Sequence, residues 1–140
     1  LHPDMIIHLG DCWADAEQLH RKFPMTVMEQ VPGNCDCRQE VQERILLIEG
    51  KKILICHGHT FNVKAGYLNL EYAAEERKVD AALFGHTHRV FYDKHNRITY
   101  MNPGSIGQPP YGIPPSYGVL QVDGSSNTIA TDVIYLEENN

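Results

Sequence analysis

Gly85-His86-Thr87-His88 sets two imidazoles one residue apart, directly behind the apolar run Ala81–Phe84 that reads as a buried strand. Side chains at that spacing share a space only where the backbone turns sharply, and Gly85 is the residue the sequence offers for the turn. Three further stretches repeat the design at the end of an apolar run or just beyond one: Gly10-Asp11, Gly33-Asn34-Cys35-Asp36 and His57-Gly58-His59. Loops at strand ends are where α/β proteins assemble their sites, so these loops are expected to meet over one metal centre. Asp11 offers a hard carboxylate able to bridge two cations, Asn34 a neutral amide oxygen, and His57, His86 and His88 imidazole nitrogens. An oxygen-and-nitrogen set without thiolate suits Mn, Fe, Zn, Ni or Co, and leaves room for water and substrate as a catalytic site must.

Taken singly, each of these residues is ordinary. An Asp or Asn after Gly is usually a turn residue, and a His near a strand end is usually a satisfied polar group. Their joint occurrence at successive strand ends is what solvated decoration does not produce. His2, His20 and His95 fall in tail, helix and turn contexts and read as surface groups. His8 lies within a strand run, two residues before Gly10, and reads as a core group or a support behind the ligands.

The elements that must carry these loops follow from periodicity. Met5–Leu9 reads as a central strand, Ala14–Phe23 as an amphipathic helix stopped by Pro24, and Thr26–Val31 as a second strand with Val27 and Val31 on one face. Glu43–Glu49 and Lys52–Cys56 form a hairpin around Gly50-Lys51 that delivers His57. Leu68–Lys78 reads as a helix, with Leu68–Tyr72 and Leu70–Ala74 each four apart, and Ala81–Phe84 as the next strand. Val90–Asp93 and Ile98–Asn102 pair around His95-Asn96, residues 106–116 form a Gly/Pro-rich loop, and Tyr117–Val122 and Thr128–Leu136 make a last hairpin before a frayed tail, Glu137–Asn140. Alternating strands and helices followed by hairpins indicate an α/β domain with a mixed sheet or two packed sheets, and nothing splits residues 1–140 into more than one domain.

Composition narrows the class. The chain has 140 residues and a formal net charge of −6, long enough for a real core. The acidic balance disfavours nucleic acid as a partner but not a small phosphate substrate, because bound cations reverse the local sign. No apolar run spans a bilayer, so no membrane partner is expected. Cys12, Cys35, Cys37 and Cys56 match no C-x-x-C pattern and read as reduced thiols of a cytoplasmic protein. The segment Gly107–Pro115 is a candidate pocket rim or a contact in a homo-oligomer.

Gly10-Asp11, Gly33-Asn34-Cys35-Asp36, His57-Gly58-His59, Gly85-His86-Thr87-His88 and Asn102-Pro103-Gly104-Ser105 stand in the order of the calcineurin-like metallophosphoesterases. From about Met5 to Leu136 the chain resembles that family's small bacterial phosphodiesterases of the YfcE type. The resemblance implies a four-layer α/β/β/α sandwich of two mixed sheets, with a two-metal site at the strand ends. It implies two divalent metal ions, Mn first, with Zn, Fe, Ni or Co as alternatives. By that likeness Asp11 bridges both, Asn34, His57 and His86 complete one, and His88 reaches the other. Asn34 also assists catalysis, while Cys35 and His59 lie beside the substrate or behind the ligands. The implied activity is hydrolysis of a small phosphodiester by an activated water. The rival is a non-catalytic, Vps29-like protein-binding scaffold with a degenerate metal site, which has no need of all five ligands.

Two departures from the family pattern carry expectations. The family opens with a strand ending in Asp-x-His, and no such motif precedes Asp11. A missing strand, helix and connection amount to roughly 30 residues. The sequence therefore reads as N-terminally incomplete, with a weakened or single-metal site. Cys35 stands where many members carry His. A thiol is a poorer acid for the leaving group than an imidazole of pKa ~6.5, so aryl esters are the expected substrates of choice.

Overall fold

The computed structural model describes residues 2–37 and 41–137. Its elements follow in the order β1 (Met5–His8), α1 (Trp13–Lys22), β2 (Val27–Gln30), β3 (Glu43–Ile48), β4 (Lys51–Cys56), α2 (Leu68–Glu76), β5 (Ala81–Leu83), β6 (Val90–His95), β7 (Ile98–Pro103), β8 (Ser116–Asp123) and β9 (Thr128–Tyr135). Of the tail expected at Glu137–Asn140, residues 138–140 lie outside the described residues. No helix among the described residues is long and apolar enough to cross a membrane.

A five-stranded sheet of order β3-β4-β5-β7-β6 forms the centre. Its inner strands run parallel and its two hairpins antiparallel. Strands buried on both faces must be apolar, and Ile53–Cys56 of β4 and the whole of β5 are. Leu54, Cys56, Ala82, Phe84 and Tyr100 point to one face, where Leu70 and Ala74 of α2 close the layer. Ile53, Ile55, Ala81, Leu83 and Met101 point to the other, where they meet Met5, Ile7 and Val31 and, from the last hairpin, Leu120, Ile129 and Val133. The second β layer is built of two ribbons, the parallel pair β1–β2 and the antiparallel pair β8–β9. α1 packs along β2. Arg44 of β3 pairs with Glu29 of β2, and Arg77 after α2 reaches Glu43 of β3 at 2.7 Å. The layers are those of the α/β/β/α sandwich that the resemblance implies.

Several local expectations give way. β1 pairs with β2 alone among the described residues, so it is not a central strand, and its four residues are only half-buried. In α2 the buried stripe is Leu70, Ala73 and Ala74, while Leu68 and Tyr72 face outward at 57% and 61% exposure. Spacing of four identifies a shared face, not which face is inward. Val27 is exposed where Val31 is fully buried, because Val31 lies beyond the end of β2 and joins the core from the loop. The tight turns hold Glu49-Gly50 and Asn96-Arg97, all with positive φ, as two-residue hairpins require. They sit one residue from where the sequence places them.

Candidate metal centre

The parallel strands deliver their C-terminal ends to one place. β4 runs directly into His57 and β5 into Phe84-Gly85-His86. Gly85 N–H donates to the His57 carbonyl at 2.9 Å, locking the two loops side by side. β1 brings Leu9-Gly10-Asp11 alongside, and His57 Nδ1 lies 2.8 Å from the Leu9 carbonyl oxygen. A carbonyl only accepts, so Nδ1 carries the proton and the lone pair of Nε2 faces the site. That lone pair stands 3.4 Å from Asp11 Oδ2 and 3.1 Å from His86 Nδ1.

Close approach explains two glycines. A Cβ on Gly33 would overlap the Asp11 carboxylate, and one on Gly10, where φ is 104°, would stand 2.6 Å from His57 Nδ1. The loop 33–36 thus lies directly against Asp11. Cys35 N–H donates to Asp11 Oδ1 at 3.0 Å. Asp36 clasps the loop to the next helix, accepting from Gly33 N–H at 2.8 Å and from Trp13 N–H at 3.0 Å. A carboxylate at the start of α1 also complements the helix dipole. His8 supports the turn from behind, its Nδ1 accepting Gly10 N–H at 3.3 Å.

The sharp turn at His86 is not made by glycine. Gly85 has ordinary φ, and the left-handed residues are His86 (φ 69°) and His88 (φ 60°), joined across the site by Asp11 (φ 59°) and Cys12 (φ 55°). Thr87 N–H donates to the Gly85 carbonyl at 2.8 Å, closing a γ-turn about His86. Non-glycine residues in this region are strained and persist only where their surroundings over-determine them. The restraint comes from Asn102 of β7, fully buried. Its Nδ2 donates to Gly85 O at 3.0 Å and Thr87 Oγ1 at 2.9 Å, and its Oδ1 accepts Gly104 N–H at 3.0 Å.

Burial favours the neutral form of two of the imidazoles, His57 and His86. Burial pushes His57 below its ordinary value, against the opposing pull of the Leu9 bond and Asp11. His86 is driven down to about 4, by burial first and then by His57, Lys64 and His59. Cys35 is held above the ordinary thiol value chiefly by the Asp11 charge, so its sulfur stays protonated.

The structure therefore brings Asp11, His57 and His86 into one chain of contacts, with Cys35 on Asp11. His59 comes near, its ring 5.4 Å from that of His57, and its Nδ1 is buried without a partner. Asn34 is exposed at the turn and His88 half-buried. Among the described residues no hydrogen bond or ring contact ties either to the other ligand candidates. His2, His20 and His95 are exposed, as expected. Asp36 and Asn102 were visible in the sequence only as parts of motifs. The roles of both depend on long-range contacts that spacing cannot show.

Donor chemistry fits a divalent cation. Two nitrogen lone pairs and a carboxylate oxygen sharing an ion at about 2.0–2.2 Å stand about 3.0–3.5 Å apart, which is the separation at His57 Nε2. The orientation of His57 by a backbone carbonyl is the usual support behind a metal-binding imidazole. The orphaned His59 nitrogen adds a polar group wanting a partner. The set is open: among the described residues no three His, Cys, Asp or Glu side chains close around a single point, and the contacts run as a chain through His57. Asp11, His57 and His86 are the residues that could hold the ion.

Comparison with known proteins gives a consistent picture. The sequence model of the calcineurin-like phosphoesterase superfamily domain matches residues 1–125. The probable metallophosphoesterase YsnB of Bacillus subtilis is 35% identical over 128 residues, covering 90% of this chain and 73% of YsnB. Phosphodiesterase YfcE of Escherichia coli is 30% identical over 114 residues, covering 81% of this chain and half of YfcE. Among solved structures, an uncharacterized protein of Streptococcus pneumoniae described as a predicted phosphoesterase superposes with a TM-score of 0.77 at 22% identity, over 94% of this chain and 88% of the other. Vps29 of Entamoeba histolytica complexed with zinc gives 0.73 at 19% identity, over 94% and 82%. At those identities the structural likeness speaks to the fold alone.

Proposed function

The chain belongs to the calcineurin-like phosphoesterase superfamily, and on that premise we propose that it is a metal-dependent hydrolase of small phosphodiesters. The observation that carries the reading is the His57 Nε2 lone pair, fixed by Leu9 and facing Asp11 Oδ2 and His86 Nδ1. In this reading Asp11, His57, His86 and Asn34 would hold one divalent cation, and His88 with Asp11 would serve a second, more weakly held one. Mn is the first choice, with Zn, Fe, Ni or Co as alternatives. Such ions supply Lewis acidity, lowering the pKa of water and offsetting charge on phosphoryl oxygens.

The protein's own groups set the rest. Asp11 is oriented by Cys35 N–H, which leaves Oδ2 free toward the site. Burial favours the neutral form of His57 and His86, which presents a lone pair to the site rather than a proton. Asn34, exposed on its turn, offers amide donors to the phosphoryl oxygens as negative charge builds there. Cys35 remains a neutral thiol and a weak proton donor. Bond cleavage then relies on a leaving group that departs as a stable anion, such as an aryl oxide.

The test is hydrolysis of a chromogenic bis-aryl phosphate with added Mn²⁺, with and without chelator. Turnover that needs Mn²⁺ and disappears in Asp11→Asn is expected. Full turnover in excess chelator overturns the reading. Absence of turnover while Mn²⁺ is bound at Asp11 and His57 supports the scaffold instead.

A further inference from the structure

The opposite end of the central sheet holds a second concavity. Three tight hairpin ends converge there, from β3–β4, β6–β7 and β8–β9, enclosing a cleft of about 170 Å³. Lys51, Lys94 and Arg97 line it, with Asp80, Thr99 and Thr128. β4 has six residues between this end and His57, so at about 3.3 Å per residue the cleft lies roughly 20 Å from the metal centre.

Charge is what sets the cleft apart. The chain as a whole carries a formal net charge of −6, yet here three cations face one carboxylate, a balance of two positive charges. Arg21, Arg44 and Arg77 are taken up in ion pairs elsewhere. Among the described residues no ion pair or hydrogen bond engages the side chains of Lys51, Lys94 or Arg97. Asp80 offsets one of these charges while it also ties the sheet together. Its Oδ2 accepts Lys52 N–H at 2.8 Å, and its backbone bonds to Lys52 and Thr99.

The walls are fixed rather than loose. Asn96 and Arg97 both sit at positive φ in a two-residue hairpin, which anchors Arg97 at its backbone. The β8–β9 turn rests on the β3–β4 turn so closely that a Cβ on Gly124 would stand 3.0 Å from the Glu49 carbonyl oxygen. Thr99 is only 5% exposed and still reaches the cleft. Short anchored hairpins fix the backbone from which the cations reach, so only side-chain freedom is lost when a small ligand is held. Pockets for drug-sized ligands run to about 300–1,000 Å³, so this one suits a single phosphoryl group with a small substituent.

We propose that the cleft of Lys51, Lys94 and Arg97 binds a phosphate-class dianion, either free phosphate or a small phosphomonoester, remote from the metal centre. Arg97 supplies a planar fork for two oxygens and the lysines supply point charges.

The experiment is a ¹H–¹⁵N NMR titration of the whole chain in chelator at constant ionic strength, with inorganic phosphate, glycerol phosphate and chloride in parallel. Saturable shifts at residues 94–99 with phosphate or glycerol phosphate, absent with chloride, are expected, and the tighter of the two identifies the source. Lys94→Gln with Arg97→Gln should weaken binding about ten-fold or more. Arg97→Lys should restore part of it, and Asp11→Asn should leave it unchanged. All substituted cleft residues lie on exposed hairpin positions, and the unchanged spectrum elsewhere verifies folding. Shifts that chloride reproduces, or that fail to saturate, overturn the proposal. So does binding that survives the double substitution or is lost in Asp11→Asn.

Discussion

Replacing Asn102 with Ala should damage the metal centre without touching any candidate ligand. Three hydrogen bonds disappear: two from Nδ2, to Gly85 O and Thr87 Oγ1, and one to Oδ1, from Gly104 N–H. The losses are unequal. Gly85 O keeps Thr87 N–H and Thr87 Oγ1 keeps Arg89 N–H, so each forfeits a net bond of about 0.5–1.5 kcal/mol. Gly104 N–H has no other partner among the described residues, and orphaning this half-buried donor costs about 1 kcal/mol, the low end of the range for a buried one. Together these give about 3 kcal/mol, out of a stability of about 5–15 kcal/mol for an ordinary domain. In a chain of this size that lowers the melting temperature by about 10 °C. The γ-turn about His86 also loses its clamp and is free to relax toward ordinary φ, carrying His86 Nδ1 away from His57 Nε2. Loss of support behind a ligand lowers metal affinity by about 10–100-fold. Urea unfolding of the chelated protein reads the first effect and calorimetric titration with Mn²⁺ reads the second. An unfolding free energy within about 1 kcal/mol of the parent's (about two RT), together with unchanged Mn²⁺ affinity, would refute the assignment of Asn102 as the clamp.

Gly33→Ala should cost about ten-fold or more in Mn²⁺ affinity, because the new methyl group takes the place of the Asp11 carboxylate; unaltered binding in a titration would show that Asp11 is not a ligand. Stability of the chelated protein should fall as pH drops. His8, His57 and His86 are all held below their ordinary value, so beneath an unfolded-state pKa of ~6.5 the unfolded chain takes up protons that the fold refuses. The stabilisation is complete above pH ~6.5 and is lost towards the His86 value of about 4; a urea midpoint that is flat or rising over that window contradicts it. Cys35→His should raise turnover of alkyl phosphodiesters relative to aryl ones, since imidazole is the better proton donor. Equal ratios in steady-state assays would remove the reason given for the aryl preference.

Much of the fold is legible because burial on both faces leaves a simple trace. Ile53-Leu54-Ile55-Cys56 and Ala81-Ala82-Leu83-Phe84 can only be inner strands, and each ends where its histidine loop starts. The hairpins announce themselves through Gly50, Asn96 and Gly124, within a residue of the turn. What spacing does not carry is direction: Leu68–Tyr72 and Leu70–Ala74 are equivalent as patterns, yet only the second faces the sheet. Nor does it carry the cause of the turn at His86. Glycine is the natural choice from sequence, but the strain is borne by the histidine and offset by Asn102, which bonds to Gly85 seventeen residues back along the chain. The centrality of β1 is likewise a question of neighbours, which a short, mostly apolar run cannot answer.

The most direct measurement is ¹⁵N NMR of the imidazole nitrogens during Zn²⁺ titration of the whole chain. A centre built on Asp11, His57 and His86 predicts that His57 Nε2 and His86 Nδ1 move together to the coordinated range, while His57 Nδ1 keeps its proton and its bond to Leu9. A His57 ring unchanged at saturation, with His2, His20 or His95 responding in its place, would contradict it.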